Sequence, residues 1–159
     1  MANVKLEWGV ATNITITLAS LATSTARECT AVDNTSDKYE DAEVYLAVKL
    51  AAGSPGSDKA IYIYAYGSMD GTNYTDNATG SNAALTMRVP SNLRLIGAIA
   101  TPDSGALTYK LVIGSVAAAF GGLLPPKWGI VVQNMTNLAF DSTEGNIIKQ
   151  YRGIYHTVT

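Results

Sequence analysis

The sequence predicts an all-β fold: a two-sheet sandwich of about eight strands, wound as a jelly roll or a related Greek key. Three observations carry that expectation. Apolar and polar residues alternate with a period of two in segment after segment, and sustained helical spacing is absent. Residues that accept turn geometry cluster between those segments. One connection, residues 68–92, is too long for a tight hairpin and long enough to carry the chain from one sheet to the other. With 159 residues, 47% of them hydrophobic, one core suffices, because a chain of this size buries roughly two-thirds of its unfolded surface. Residues 1–159 therefore read as a single β-sandwich domain with a short N-terminal arm, about residues 1–8.

Taken in order, the arm carries Leu6 and Trp8 as candidate anchors that could order on docking. Ile14, Ile16 and Leu18 then alternate with Thr15 and Thr17, which gives a first strand with one apolar face. Residues 25–33 form the next candidate. Val44, Leu46, Val48 and Leu50 alternate with Tyr45, Ala47 and Lys49, and Ile61 and Ile63 alternate with Tyr62, Tyr64 and Tyr66. Residues 93–101, 107–116, 128–135 and 147–155 complete the set. The alanine-rich stretch at 116–120 could make a helical turn, but Gly121 and Gly122 oppose its extension.

Composition removes several functional classes. Eleven Lys and Arg against thirteen Asp and Glu give a net charge of −2, too little basic field to hold nucleic acid by counterion release. The longest apolar run, 111–124, is interrupted by Gly114, Gly121 and Gly122 and is shorter than a bilayer requires, so no membrane partner is expected. The N-terminus lacks the apolar segment of a secretory signal. A single cysteine, Cys29, and a single histidine, His156, supply neither a disulfide nor a zinc site.

The same residues offer little for catalysis. His156 lies close to the C-terminus, where fraying is expected, and Cys29 sits among strand-like residues as a small buried filler. Glu40, Asp41 and Glu43 resemble an acid–base pair on paper but read better as a solvated loop before a strand. Residues 70–77 concentrate oxygen ligands of the calcium-binding kind, yet lack the ligand spacing of an EF-hand, and turn chemistry accounts for them. No catalytic, cofactor-binding or metal-binding residue is assigned, no cofactor is expected, and the protein is read as a non-enzyme.

The tyrosines stand out. Tyr62, Tyr64 and Tyr66 share the strand face opposite Ile61, Ile63 and Ala65, and Tyr45 occupies the alternate face of the preceding strand. If the aliphatic side points inward, a tyrosine stripe points outward, suited to a protein interface or a sugar platform. The other reading is internal: the 68–92 connection could cover the same face.

Leu6-Glu7-Trp8-Gly9, residues 19–27, the run from Tyr64-Ala65-Tyr66-Gly67 to Tyr74, Asn92-Leu93-Arg94-Leu95-Ile96-Gly97, and the run from Phe120-Gly121-Gly122 through Pro125-Pro126-Lys127-Trp128-Gly129 to Asn134 resemble small structural proteins of tailed bacteriophages. The resemblance implies a virion component, a capsid decoration or cement protein made in the host cytoplasm and placed on the outer capsid surface. It further implies a jelly-roll-like fold, a homotrimer, and the major capsid protein as partner. Trimer contacts would use Tyr45, Tyr62, Tyr64 and Tyr66, while loops or the arm with Leu6 and Trp8 would grip the shell. The alternative is a carbohydrate-binding, lectin-like module displayed on the virion or its tail, by analogy of fold. A hydrolase built on the acidic loop is a weaker third reading.

Overall fold

Period-two patterning gives each long strand one side that must leave water, and two sheets packed face to face satisfy that requirement. The computed structural model describes residues 2–56, 59–102 and 106–159. Among them are β1 (Val4–Trp8), β2 (Thr12–Asn13), β3 (Thr25–Glu28), β4 (Val32–Asp33), β5 (Asp41–Lys49), β6 (Ala60–Ser68), β7 (Ala83–Leu85), β8 (Arg94–Ala100), β9 (Thr108–Ile113), β10 (Lys127–Met135) and β11 (Ile148–Val158). Sheet A runs β1-β11-β5-β9, with β2 also on β11; sheet B runs β7-β3-β10-β6-β8, with β4 also on β10. The two-sheet sandwich is thus as expected, although eleven strands stand in place of about eight.

Among the described residues all pairings are antiparallel, and none joins strands consecutive in the chain. That excludes a meander. Ala42, Val44, Leu46 and Val48 of β5 face Ile61, Ile63 and Ala65 of β6 and Ile130 and Val132 of β10 across the core, all buried. Trp128 of β10 meets Tyr151 of β11 edge to face, ring centroids 5.4 Å apart, and so ties one sheet to the other. The alanine-rich turn is a 3-10 helix, Ala117–Phe120, closed by Gly121 at φ 87°, a left-handed conformation that glycine adopts without penalty.

Several expectations change. Residues 4–8 are not a free arm but edge strand β1, in register from Val4↔Val158 to Trp8↔Ile154. The 25–33 segment divides into β3 and β4, because the amides of Thr30 and Ala31 leave the sheet to bond Thr15 and Gly80. The 68–92 connection does not change sheets: β6 and β8 are neighbours in sheet B, and β7 within the connection pairs with β3. The C-terminal segment continues as β11 to Val158, and His156 lies within that strand, paired across it with Leu6.

Ile14, Ile16 and Leu18 are buried at alternate positions as the pattern requires, yet residues 14–18 belong to no ladder. Their amides find other acceptors: Thr17 donates to Asn82 Oδ1, and Leu18 and Ala19 donate to the Glu144 carboxylate at 3.0 and 2.6 Å. Lys149 forms an ion pair with the same carboxylate. A side chain here replaces a neighbouring strand, since buried amides left without acceptors are costly. Glu144→Ala is expected to destabilise the fold by about 1–3 kcal/mol, read from urea unfolding, with Glu144→Gln, which keeps an acceptor, losing less.

Candidate functional site

The sheet arrangement separates the residues assigned to one tyrosine face. Because β5 and β6 lie in opposite sheets, Tyr45 is on the outer side of sheet A while Tyr62, Tyr64 and Tyr66 are on the outer side of sheet B. Tyr62 and Tyr64 are half-buried there, and Tyr64 donates to Gln133 Oε1 at 3.3 Å. Burial raises the Tyr64 pKa.

Tyr66 is no interface residue: its exposure is 0%. Its ring lies over Gly129, where an added Cβ would come within 2.5 Å, and packs edge-on against Tyr74 of the 68–92 connection at 5.7 Å. Its hydroxyl donates to the Cys29 carbonyl at 2.5 Å, and desolvation pushes its pKa well up. The internal reading of the stripe thus holds at this position. Cys29 is equally enclosed; Ile130 N–H donates to its Sγ at 3.1 Å, and burial pushes the thiol up to about 11. A thiol so placed stays protonated and is a poor nucleophile.

Carboxylates in the described residues are likewise turned to structural use. Glu28, buried, accepts from Thr79 N–H and Oγ1 and from Gly80 N–H, all within 3.1 Å, and so pins the connection onto sheet B. Asp70 accepts from the amides of Thr72 and Asn73 at 2.8 Å and from Asn73 Nδ2 at 2.7 Å. Asp76 accepts from Ser91 Oγ and Asn92 N–H, each at 2.7 Å. The oxygens read as candidate calcium ligands are thereby engaged as turn acceptors. Asp41 caps the 3-10 turn by accepting from Ala117 N–H at 2.7 Å, Glu40 pairs with His156 Nδ1 at 2.8 Å, and Glu43 lies opposite Arg152 in the ladder. The acidic trio is therefore dispersed over three different tasks. Among the described residues no group of three or more His, Cys, Asp or Glu side chains could hold a metal ion.

Beside these polar groups, an exposed apolar row faces outward. Val4, Leu6 and Trp8 are 66%, 46% and 49% exposed and share the outer face of sheet A with Val158, His156 and Ile154 of β11, opposite them in register. Ile148 and Val112 extend the exposed apolar surface on β11 and β9. Trp8, read as a candidate anchor, sits on this rim; the buried indole is Trp128. At the β6–β8 end of sheet B, an open groove of about 830 Å³ is lined by Met69, Phe120, Leu123, Pro125 and Arg94. Among the described residues Arg94 is the one ionisable side chain that lines it. Alternation of Val4, Leu6 and Trp8 with Lys5 and Glu7 is a strand signal that the arm reading passed over; the work of Glu28 and Glu144 carried no sequence signal.

Comparison of the chain with protein-family models, with curated proteins and with solved structures returned no match.

Two outcomes are expected from this geometry. Tyr66→Phe removes the donor to a buried carbonyl and should cost about 1–2 kcal/mol in urea unfolding, whereas Tyr62→Phe, on the outer face, should cost less than about 0.5. Backbone amides of Asn73 and Thr72 hold the Asp70 carboxyl below its usual 3.8, and the Ser91 hydroxyl does the same for Asp76. A depressed folded pKa contributes its stability in full above the unfolded value and loses it as pH falls through the folded one. Hydrogen-exchange protection at Thr72, Asn73 and Asn92 should therefore fall as the pH is taken below about 4 while protection in β10 persists.

Proposed function

We propose that this protein is a virion structural component of a tailed phage, of the capsid decoration or cement kind, bound to the outer shell through protein–protein contacts. It works by contact, with no bond made or broken. The observation that carries this reading is the concentration of exposed Val4, Leu6, Trp8, Val112, Ile148 and Val158 on one side of the sandwich, an apolar surface of the kind that marks contact sites. The sequence resemblance to small phage structural proteins supplies the partner, the major capsid protein. The engaged carboxylates and the enclosed thiol support a binding role over turnover.

Self-association through a shared tyrosine face is not part of the proposal, since Tyr45 stands on the opposite side from Tyr62 and Tyr64 and Tyr66 is buried. The carbohydrate-binding alternative rests on analogy of fold, and in the 68–92 connection Tyr74 is packed against Tyr66.

Locating tagged protein on intact particles by electron microscopy tests the reading. Label on the head, together with earlier heat release of DNA from particles lacking the protein, is the expected result. Label confined to the tail, or depleted heads as heat-resistant as complete ones, would refute it.

A further inference from the structure

Edge strands expose unpaired backbone donors and acceptors, and proteins ordinarily blunt them. In sheet B, edge strand β7 has only three residues. On the side of the sandwich where β8 and β9 meet, an added Cβ at Gly97 would touch Leu111 and Ile113, so that flank is closed. β1, five residues long at the edge of sheet A, is different.

Its hydrogen-bonding phase follows from its ends. Asn3 and Thr159 exchange two bonds of 3.0 Å, and Gly9 N–H donates to the Gly153 carbonyl at 2.8 Å. In an antiparallel ladder these pairs recur every second residue, so Lys5 and Glu7 turn their backbone groups toward β11. The N–H and C=O groups of Val4, Leu6 and Trp8 then point away from the sheet. No hydrogen bond from another part of the described chain reaches them, and their side chains are the exposed apolar row.

We propose that β1 is the site of self-association: it pairs antiparallel with β1 of a second copy about a two-fold axis through Leu6, joining two copies of sheet A into one continuous sheet. The sequence of the strand argues for this occupant and this register. With Leu6 opposite Leu6 of the second copy, Val4 faces Trp8, and these are the residues whose backbone groups are free to exchange hydrogen bonds. Lys5 then faces Glu7 of the second copy, and Glu7 faces its Lys5, both in the non-hydrogen-bonded positions where side chains approach most closely.

Neither Lys5 nor Glu7 has an ion pair or side-chain hydrogen bond within the described residues, so both charges are available. Sliding one strand by two residues keeps the hydrogen-bonding phase but sets Lys5 against Lys5 or Glu7 against Glu7. The like charges disfavour both slipped registers. Such a contact is isologous and closes at two copies. It differs from the three-fold association implied by the sequence resemblance and does not depend on the phage reading.

Sedimentation equilibrium of the full chain should give a mass twice 16.7 kDa. Lys5→Glu and Glu7→Lys each place like charges across the axis and should return the mass to that of one chain. An equimolar mixture of the two variants restores both attractive pairs and should return it to two. Leu6→Pro removes an outward N–H without touching the β11 ladder, a substitution that edge strands tolerate, and should also yield single chains with an unchanged circular dichroism spectrum. A wild-type mass of one or three chains, charge reversals that leave the dimer intact, or a mixture that stays dissociated would each overturn the proposal.

Discussion

Strand β10 is enclosed on every side, and that enclosure organises the molecule. Its edges are occupied by β6 and by β3 and β4; one face presents Trp128, Ile130 and Val132 to the core, and the other, at Gly129 and Val131, lies beneath Tyr66 and the 68–92 connection. A strand buried on both faces reads as a continuous apolar run, which explains Trp128-Gly129-Ile130-Val131-Val132. Gly129 is required because the Tyr66 ring takes the space a side chain would fill. The contact of Trp128 with Tyr151 then transmits the position of sheet B to β11, the strand on which sheet A is assembled.

Where the ladders stop, carboxylates continue their work. Glu144 accepts from the amides of residues 18 and 19, Glu28 from residues 79 and 80, Asp76 from residues 92 and 93, and Asp41 from residue 117. Each meets a short irregular segment whose donors have no ladder partner, and charge-assisted bonds are the strong kind. The same economy removes these groups from solution chemistry.

Local pattern made much of this legible. Alternation located β5, β6, β8, β9, β10 and β11 because period-two burial is a property of each segment alone. It also placed Ile14, Ile16 and Leu18 in the core, but a pattern of side chains does not say whether the backbone between them finds a strand or a carboxylate. Topology was harder. Whether residues 68–92 cross to the other sheet depends on contacts such as Glu28 with Thr79, 51 residues apart in the chain, which no local window contains. That error moved Tyr45 onto the wrong face, since β5 and β6 proved to be the pair that changes sheets. Tyr66 escaped for a related reason: its alternation with Ile63 and Ala65 is outward, and only the returning loop buries it.

The absence of any ladder between consecutive strands also has a temporal side. β1 and β2 reach their place in sheet A only through β11, so during synthesis they stay unpaired until residues 148–158 leave the ribosome, whereas β5 already has β9 as a partner. Loop-closure entropy must be met before such distant pairings return anything, which makes topologies of this kind slow to fold. The nascent chain is consequently most exposed to wrong partners just before β11 arrives, and a truncation within β11 would harm more than the residues it removes.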